Sequence, residues 1–252
     1  MASLPDSMRA IVQDVYGGPE VLHLAEVPLP ELRHHDILVK VAAVSVNPVD
    51  AKVRGGGPPG QPVAGAPKIL GWDAAGEVVA LGTEARRFGV GDRVYFAGDL
   101  TRAGSYAEYV AVDERIVGHR PRTLSDAEAA AVPLVALTAW EGLVEGMEAQ
   151  RGDAGRGTRV CLVVGGGGGV GSTAIQVARQ VCELTVVATA SRAESRQYAL
   201  QMGADAVIDH TQPLKEQLRA LGYGGVDYIF STAQLSGFKE WAGVLNPLGK
   251  IC

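Results

Sequence analysis

The sequence predicts an α/β protein of two domains, an all-β barrel-like front followed by a doubly wound parallel sheet. Two observations carry that expectation. Before residue 120 the chain is a series of short apolar runs punctuated by Gly, Pro and Asp, the grammar of antiparallel strands joined by turns. After residue 158 strand-like and helix-like segments alternate, as a parallel sheet covered by crossover helices requires.

In the front half, residues 1–7 read as a loose extension. Residues 37–44, 76–81, 93–96 and 106–112 read as strands, and 15–19, 55–60 and 88–92 as turns or loops. Ser125-Asp126-Ala127-Glu128 is a capping box that starts a helix running up to Pro133. Residues 138–146 continue as a second helix. The domain boundary is expected near Ala130, giving domains 8–130 and 131–252, with 149–158 a surface loop.

The second half opens with VCLVVGGGGGVGSTAIQVARQ at 160–180. An apolar β-branched run, 160–164, is the signature of a buried parallel strand. The glycines that follow let the backbone turn tightly and approach a ligand where a Cβ would clash. The next helix is expected to bury Val170, Ala174, Val177, Ala178 and Val181 on one face. Its N-terminus points unpaired N–H groups back at the loop, a setting for a pyrophosphate. Gly166, Gly168 and Gly171, with Gly169 and Val170 between them, satisfy G-x-G-x-x-G in the required strand–turn–helix context. This predicts a Rossmann-type dinucleotide site.

The second strand, 184–190, discriminates between dinucleotides. An acid near its end would bind a ribose 2′-hydroxyl, but the chain reads Thr189-Ala190-Ser191-Arg192. A hydroxyl followed by a guanidinium suits a 2′-phosphate through charge-assisted hydrogen bonds, with Arg196 one turn on able to join. Ser191 is equally suited to cap the following helix. The expected cofactor is NADP(H).

Helices at 192–202, 213–221 and 237–245 then alternate with strands at 206–208 and 226–230, and a further strand starts at 249. A six-stranded dinucleotide fold needs one more crossover and strand, so the chain is expected to be C-terminally truncated. An unfinished sheet edge would favour association and lower stability.

Composition sets limits. The chain has 252 residues, 47% hydrophobic and 20% charged, with net charge −5. These values describe an ordinary globular protein and offer no basic surface for nucleic acid. The longest apolar stretch, 127–140, is interrupted by Glu128, Pro133 and Thr138 and is expected to be too short for a bilayer. No secretory signal is legible. Three scattered cysteines without C-x-x-C fit a reducing, cytoplasmic setting.

Several segments together resemble the medium-chain dehydrogenase/reductase superfamily: Ser45-Val46-Asn47-Pro48-Val49-Asp50, Gly71-Trp72-Asp73-Ala74-Ala75-Gly76-Glu77-Val78, Gly91-Asp92-Arg93-Val94, Ala136-Leu137-Thr138-Ala139-Trp140-Glu141 and the glycine run. The resemblance covers Met8 to Cys252 and is closest to the quinone oxidoreductase branch and to proteins called zinc-type alcohol dehydrogenase-like. It implies a GroES-like front domain, an NADP-binding Rossmann domain, a small-molecule substrate, and a homodimer for a full-length chain that a truncated one would lose. Partnership with nucleic acid or membrane is not expected.

The zinc alcohol dehydrogenases hold catalytic zinc with Cys, His and Cys. By the resemblance the corresponding positions are Asn47, Trp72 and Leu134, which are not a zinc donor set. Without a Lewis acid, hydride can still reach an acceptor whose charge delocalises, a quinone or an α,β-unsaturated ketone. The resemblance places Asn47 as an amide donor near the nicotinamide and Thr138 near its carboxamide. Asp50 is expected to anchor its loop, bond a substrate or cap the helix 50–54. Trp72 is suited to stack on a flat acceptor or to pack in the core, and Tyr95 is a candidate proton donor beside solvent. A metal-binding alcohol dehydrogenase and a non-catalytic NADPH-binding protein are the competing readings.

Overall fold

The computed structural model describes residues 4–149, 159–233 and 237–252. The chain divides into two compact units, Met1–Leu134 and Val135–Cys252, against an expected boundary near Ala130. Apart from Ala149, the surface loop expected at 149–158 lies outside the described residues, as do residues 1–3 of the expected extension.

The first unit starts with β1 (Ser7–Gln13), antiparallel to β2 (Leu22–Pro28). The extension therefore ends sooner than expected, because Ser7 already pairs with Pro28. Met8, Ala10 and Val12 alternate inward along β1 and pack with Ile69, the period-2 pattern of a half-buried strand. β3 (Asp36–Ser45) is followed by α1 (Pro48–Arg54), β4 (Lys68–Ile69), β5 (Asp73–Leu81), β6 (Arg93–Ala97), β7 (Tyr109–Asp113) and β8 (Val117–His119). One three-stranded sheet runs β2-β1-β4 and one five-stranded antiparallel sheet runs β7-β3-β5-β6-β8. β5 begins three residues before the predicted 76, since Asp73, Ala74 and Ala75 pair with β6, and β7 begins at Tyr109 rather than 106. Ile37, Val39, Val78, Val94, Phe96 and Val112 fill this unit's core.

α2 (Asp126–Ala130) starts at the predicted capping box, with Ser125 Oγ accepting the Glu128 N–H. Pro133 does not simply end that helix. It stands first in α3 (Pro133–Trp140), where its fixed φ and missing N–H are tolerated, and a π-helical turn continues through Gly146. The 21-residue helical run Asp126–Gly146 is long and apolar enough to cross a membrane by length and composition, correcting the expectation that it is too short. Ala129 and Ala130 pack on Ala75 in the first unit, and Ala139 and Leu143 belong to the core of the second.

The second unit is a parallel sheet ordered β11-β10-β9-β12-β13. Its members are β9 (Val160–Val164), β10 (Thr185–Thr189), β11 (Ala206–Ile208), β12 (Val226–Ser231) and β13 (Leu245–Ile251), with α4 (Gly169–Gln180), α5 (Ala193–Gln201), α6 (Leu214–Ala220) and α7 (Phe238–Ala242) between them. All five β9 residues are buried, and each Val or Leu so placed contributes about 2 kcal/mol. α4 buries Ala174, Ile175 and Ala178, whereas Val181, expected on that face, is 52% exposed past the helix end. α7 stops at Gly243 rather than 245. Leu245 already pairs with Val226, and β13 bulges before pairing resumes at Lys250, with Leu248 in the bulge at φ +67°.

Candidate active site

Asn47 is the N-cap of α1, and Pro48 supplies its first turn. The helix starts earlier than the predicted 50, so Asp50 is the third helical residue rather than the cap. Its Oδ2 reaches back to accept the Asn47 backbone N–H at 2.6 Å, the carboxylate half of a capping box. The Asn47 side chain donates through Nδ2 to Asp73 Oδ2 at 2.9 Å, and Asp73 Oδ1 accepts the Leu134 backbone N–H at 2.9 Å. Tyr106 Oη donates to Asp50 Oδ2 at 2.7 Å, and Ser105 Oγ donates to the Asp73 carbonyl.

Asn47, Asp50 and Asp73 are all buried. Burial is the main cause that lifts the Asp73 carboxyl to about 6; the Asn47 and Leu134 N–H groups oppose it and the nearby Asp50 charge adds to it. Asp50 Oδ1 is buried and has no hydrogen-bond partner among the described residues. The sequence reading singled out Asn47 and Asp50 but missed Asp73, Ser105 and Tyr106. Asp73 had a signal, an acid inside an apolar strand. Tyr106 had none, because only Gly71 at φ +85° leaves room for its ring.

The other expected residues lie elsewhere. Trp72 is 2% exposed, donates its indole N–H to the Asp99 carbonyl at 3.0 Å, and lines a cavity of about 300 Å³ with Phe96, Gly98 and Val110. Tyr95 packs against Ala75, Ala129 and Ala130, and its ring lies over Gly118; the tyrosine hydrogen-bonded to a buried acid is Tyr106 instead. At the three positions matched to zinc ligands, Asn47 and Leu134 spend N–H groups on Asp73 and Trp72 spends its own on Asp99. These side chains do not fit a zinc ion. Among the described residues no group of three or more His, Cys, Asp or Glu converges.

In the second unit the glycine loop divides by what surrounds each residue. A Cβ on Gly171 would sit 2.2 Å from the Gly165 carbonyl oxygen, and one on Gly166 would sit 2.7 Å from Ala188 Cβ. Those two glycines are demanded by the protein's own packing. Gly168 is not: its φ of −89° and ψ of 168° suit any residue, and a Cβ there would meet nothing nearer than 3.5 Å. Gly168 caps α4, with Gly169 and Val170 forming its first turn. A dinucleotide pyrophosphate fits such a cradle, open at the middle glycine and facing a helix N-terminus.

Thr189 Oγ1 accepts the Gly165 N–H at 2.9 Å and braces the loop. The N-cap of α5 is Arg192, not Ser191. Ser191 and Arg192 are exposed, and among the described residues the Arg192 guanidinium has no protein partner. Arg196 is engaged, donating to the Ala190 and Val207 carbonyls at 3.1 and 2.8 Å, which ties α5 to the ends of β10 and β11. Thr138 lies on α3 and is partly buried.

Residues 33–122 match the alcohol dehydrogenase GroES-like domain and residues 169–252 the zinc-binding dehydrogenase family. A zinc-type alcohol dehydrogenase-like protein of Staphylococcus aureus is 40% identical over 225 residues, 89% of this chain and 65% of its own length. The chain thus spans about two thirds of that relative. An NADPH-dependent alkenal/one oxidoreductase of Arabidopsis thaliana is 38% identical over 227 residues, 86% of this chain and 56% of that protein. Among solved structures, a Rhizobium etli protein assigned as a zinc-dependent alcohol dehydrogenase superposes with a TM-score of 0.90 at 44% identity, over 98% of this chain and 72% of that one. The quinone oxidoreductase of Coxiella burnetii gives a TM-score of 0.80 at 31% identity, over 97% and 74%. A GroES-like unit followed by a Rossmann-type unit, with these identities and coverage, places the chain in the medium-chain dehydrogenase/reductase superfamily.

Proposed function

We propose that this protein is an NADPH-dependent, zinc-independent reductase of quinones or α,β-unsaturated carbonyl compounds. The observation that carries the reading is the glycine cradle, closed by packing at Gly166 and Gly171 and open at Gly168, with the Arg192 cation, unpaired among the described residues, after the next strand. Gly168 and the α4 N-terminus would hold the pyrophosphate, and Ser191 and Arg192 the 2′-phosphate. Bound reduced nicotinamide supplies hydride.

The first unit supplies polar groups and no zinc donor set. Asn47 offers an amide held in place by Asp73, suited to donate to the oxygen of a conjugated acceptor as charge gathers there. A quinone or an enone spreads that charge over its conjugated system, which lowers the demand on the group that stabilises the oxygen and suits a hydrogen-bond donor. The relatives named for alkenal and quinone reduction support this class of acceptor.

The test is NADPH oxidation followed at its absorbance maximum with a panel of quinones and enones, with NADH and simple aldehydes as controls. Turnover of conjugated acceptors with NADPH, unaffected by chelator, supports the reading. Turnover confined to simple alcohols or aldehydes, and restored by added zinc, refutes it.

A further inference from the structure

We propose that Tyr106 is a positioning residue for the reduction described above, acting through Asp50 to hold Asn47; the inference rests on that reading of the site. The chain invests several contacts in bringing Tyr106 there. Gly104, Ser105 and Tyr106 donate their backbone N–H groups to Ile69, Gly71 and Leu70 at 2.6–2.9 Å, zipping the segment onto the end of β4. The ring then lies against Gly71, where a Cβ would stand 2.3 Å from Tyr106 Cδ1. This delivers the hydroxyl to Asp50 Oδ2.

Asp50 is 4% exposed, and among the described residues neither it nor Asp73 receives a hydrogen bond or ion pair from Lys, Arg or His. Among the described residues the Tyr106 hydroxyl is the one side-chain donor to Asp50, beside the Asn47 N–H. Asn47 is therefore fixed at both ends, its backbone by Asp50 and its amide by Asp73. Burial first, and then the hydrogen bond to Asp50 and its charge, hold the Tyr106 hydroxyl well above the usual phenol range. It stays protonated, and a donor, at neutral pH. Deleting it leaves a buried carboxylate with a single N–H, and the carboxylate and the Asn47 backbone bonded to it must readjust.

The chain has two asparagines, Asn47 and Asn246, so protein labelled with side-chain ¹⁵N-asparagine gives one amide signal from the site and one internal control. In Tyr106→Phe the melting temperature should fall by a few degrees, because the buried Asp50 carboxylate loses a hydrogen bond, while NADPH affinity should stay near wild type. The Asn47 amide should shift and exchange with water about tenfold faster while Asn246 stays fixed, and kcat with 1,4-naphthoquinone should fall about tenfold with KM for NADPH within about twofold. An unchanged Asn47 signal in the folded variant overturns the positioning role, whatever the turnover. A wild type that does not oxidise NADPH refutes the reduction reading instead, and the amide signal still decides whether Tyr106 holds Asn47. If Tyr106→Phe fails to fold, Tyr106→Met, which also lacks the hydroxyl and keeps the count of asparagines at two, carries the same readouts: a shifted Asn47 amide supports the role and an unchanged one overturns it.

Discussion

Alanine at two glycines of one loop should have opposite consequences. In Gly171→Ala the new methyl would lie 2.2 Å from a backbone carbonyl oxygen, about 1 Å inside normal contact, and its three nearest neighbours are all backbone atoms that no side-chain movement can relieve. Overpacking of this kind costs about 1–3 kcal/mol, so the variant should melt several degrees lower. In Gly168→Ala the methyl meets nothing within 3.4 Å, and the backbone is extended. The fold should lose about 0.5–1 kcal/mol as an N-cap changes from Gly to Ala, at or below the low end of the Gly171→Ala cost. The methyl does stand where a pyrophosphate would approach, and an ångström-scale displacement of phosphate from the helix N–H groups should weaken NADPH at least about tenfold, or about 1.4 kcal/mol. Thermal melts read the first effect and fluorescence titration with NADPH the second. Wild-type affinity in a fully folded Gly168→Ala would refute the cradle, because the open glycine would then face no ligand.

Three further outcomes follow from the same geometry. Arg192→Ala should weaken NADPH by roughly 1.5–3 kcal/mol and leave NADH nearly unchanged; equal weakening of both in parallel titrations would remove the 2′-phosphate from its assigned place. Asp73 has a folded pKa raised to about 6 from 3.8, so its contribution to stability is complete below the unfolded value and is lost as pH rises through about 6. The stability of wild type relative to Asp73→Asn should therefore fall by on the order of 3 kcal/mol between pH 4 and 7, read by urea unfolding, and a flat difference would contradict it. Elemental analysis after mild chelation should find no stoichiometric zinc, with NADPH affinity unaltered; one zinc per chain would overturn the donor-set argument.

Much of the second unit was legible because its signals are local. A parallel strand buried on both faces needs an unbroken apolar run, and 160–164 supplies one; a turn that approaches a helix needs glycine, and the run after Val164 supplies it. The misreadings fall where tertiary packing overrides such signals. Val181 has helical spacing but lies past the last turn of α4, so Ile175 takes its place in the core. Leu245 fits a helix pattern, yet pairing with Val226 and the bulge at Leu248 make it strand. In the first unit Pro133 reads as a helix stop, although a proline is also a good first residue for the helix that follows.

The candidate site shows a sharper division. Asn47 and Asp50 stand three residues apart, and that spacing on one helix start was enough to bring them together. Their partners come from far along the chain: Asp73 from β5, Leu134 from the edge of the unit, Tyr106 from a loop after β6. A long-range hydrogen bond leaves no periodic trace, because it needs only one correctly placed atom at each end. The acid at position 73 carried the better hint, since a carboxylate inside Trp-Asp-Ala-Ala-Gly costs free energy to bury and must be satisfied. Tyr106 is placed by what another residue lacks, the Cβ of Gly71, and a missing atom at one position does not name the ring that will use the space. Arg196 teaches the complementary lesson. Its sequence position suits a phosphate as well as that of Arg192 does, and only the three-dimensional accounting of backbone acceptors shows that two strand-end carbonyls also engage it, while Arg192 has no partner among the described residues.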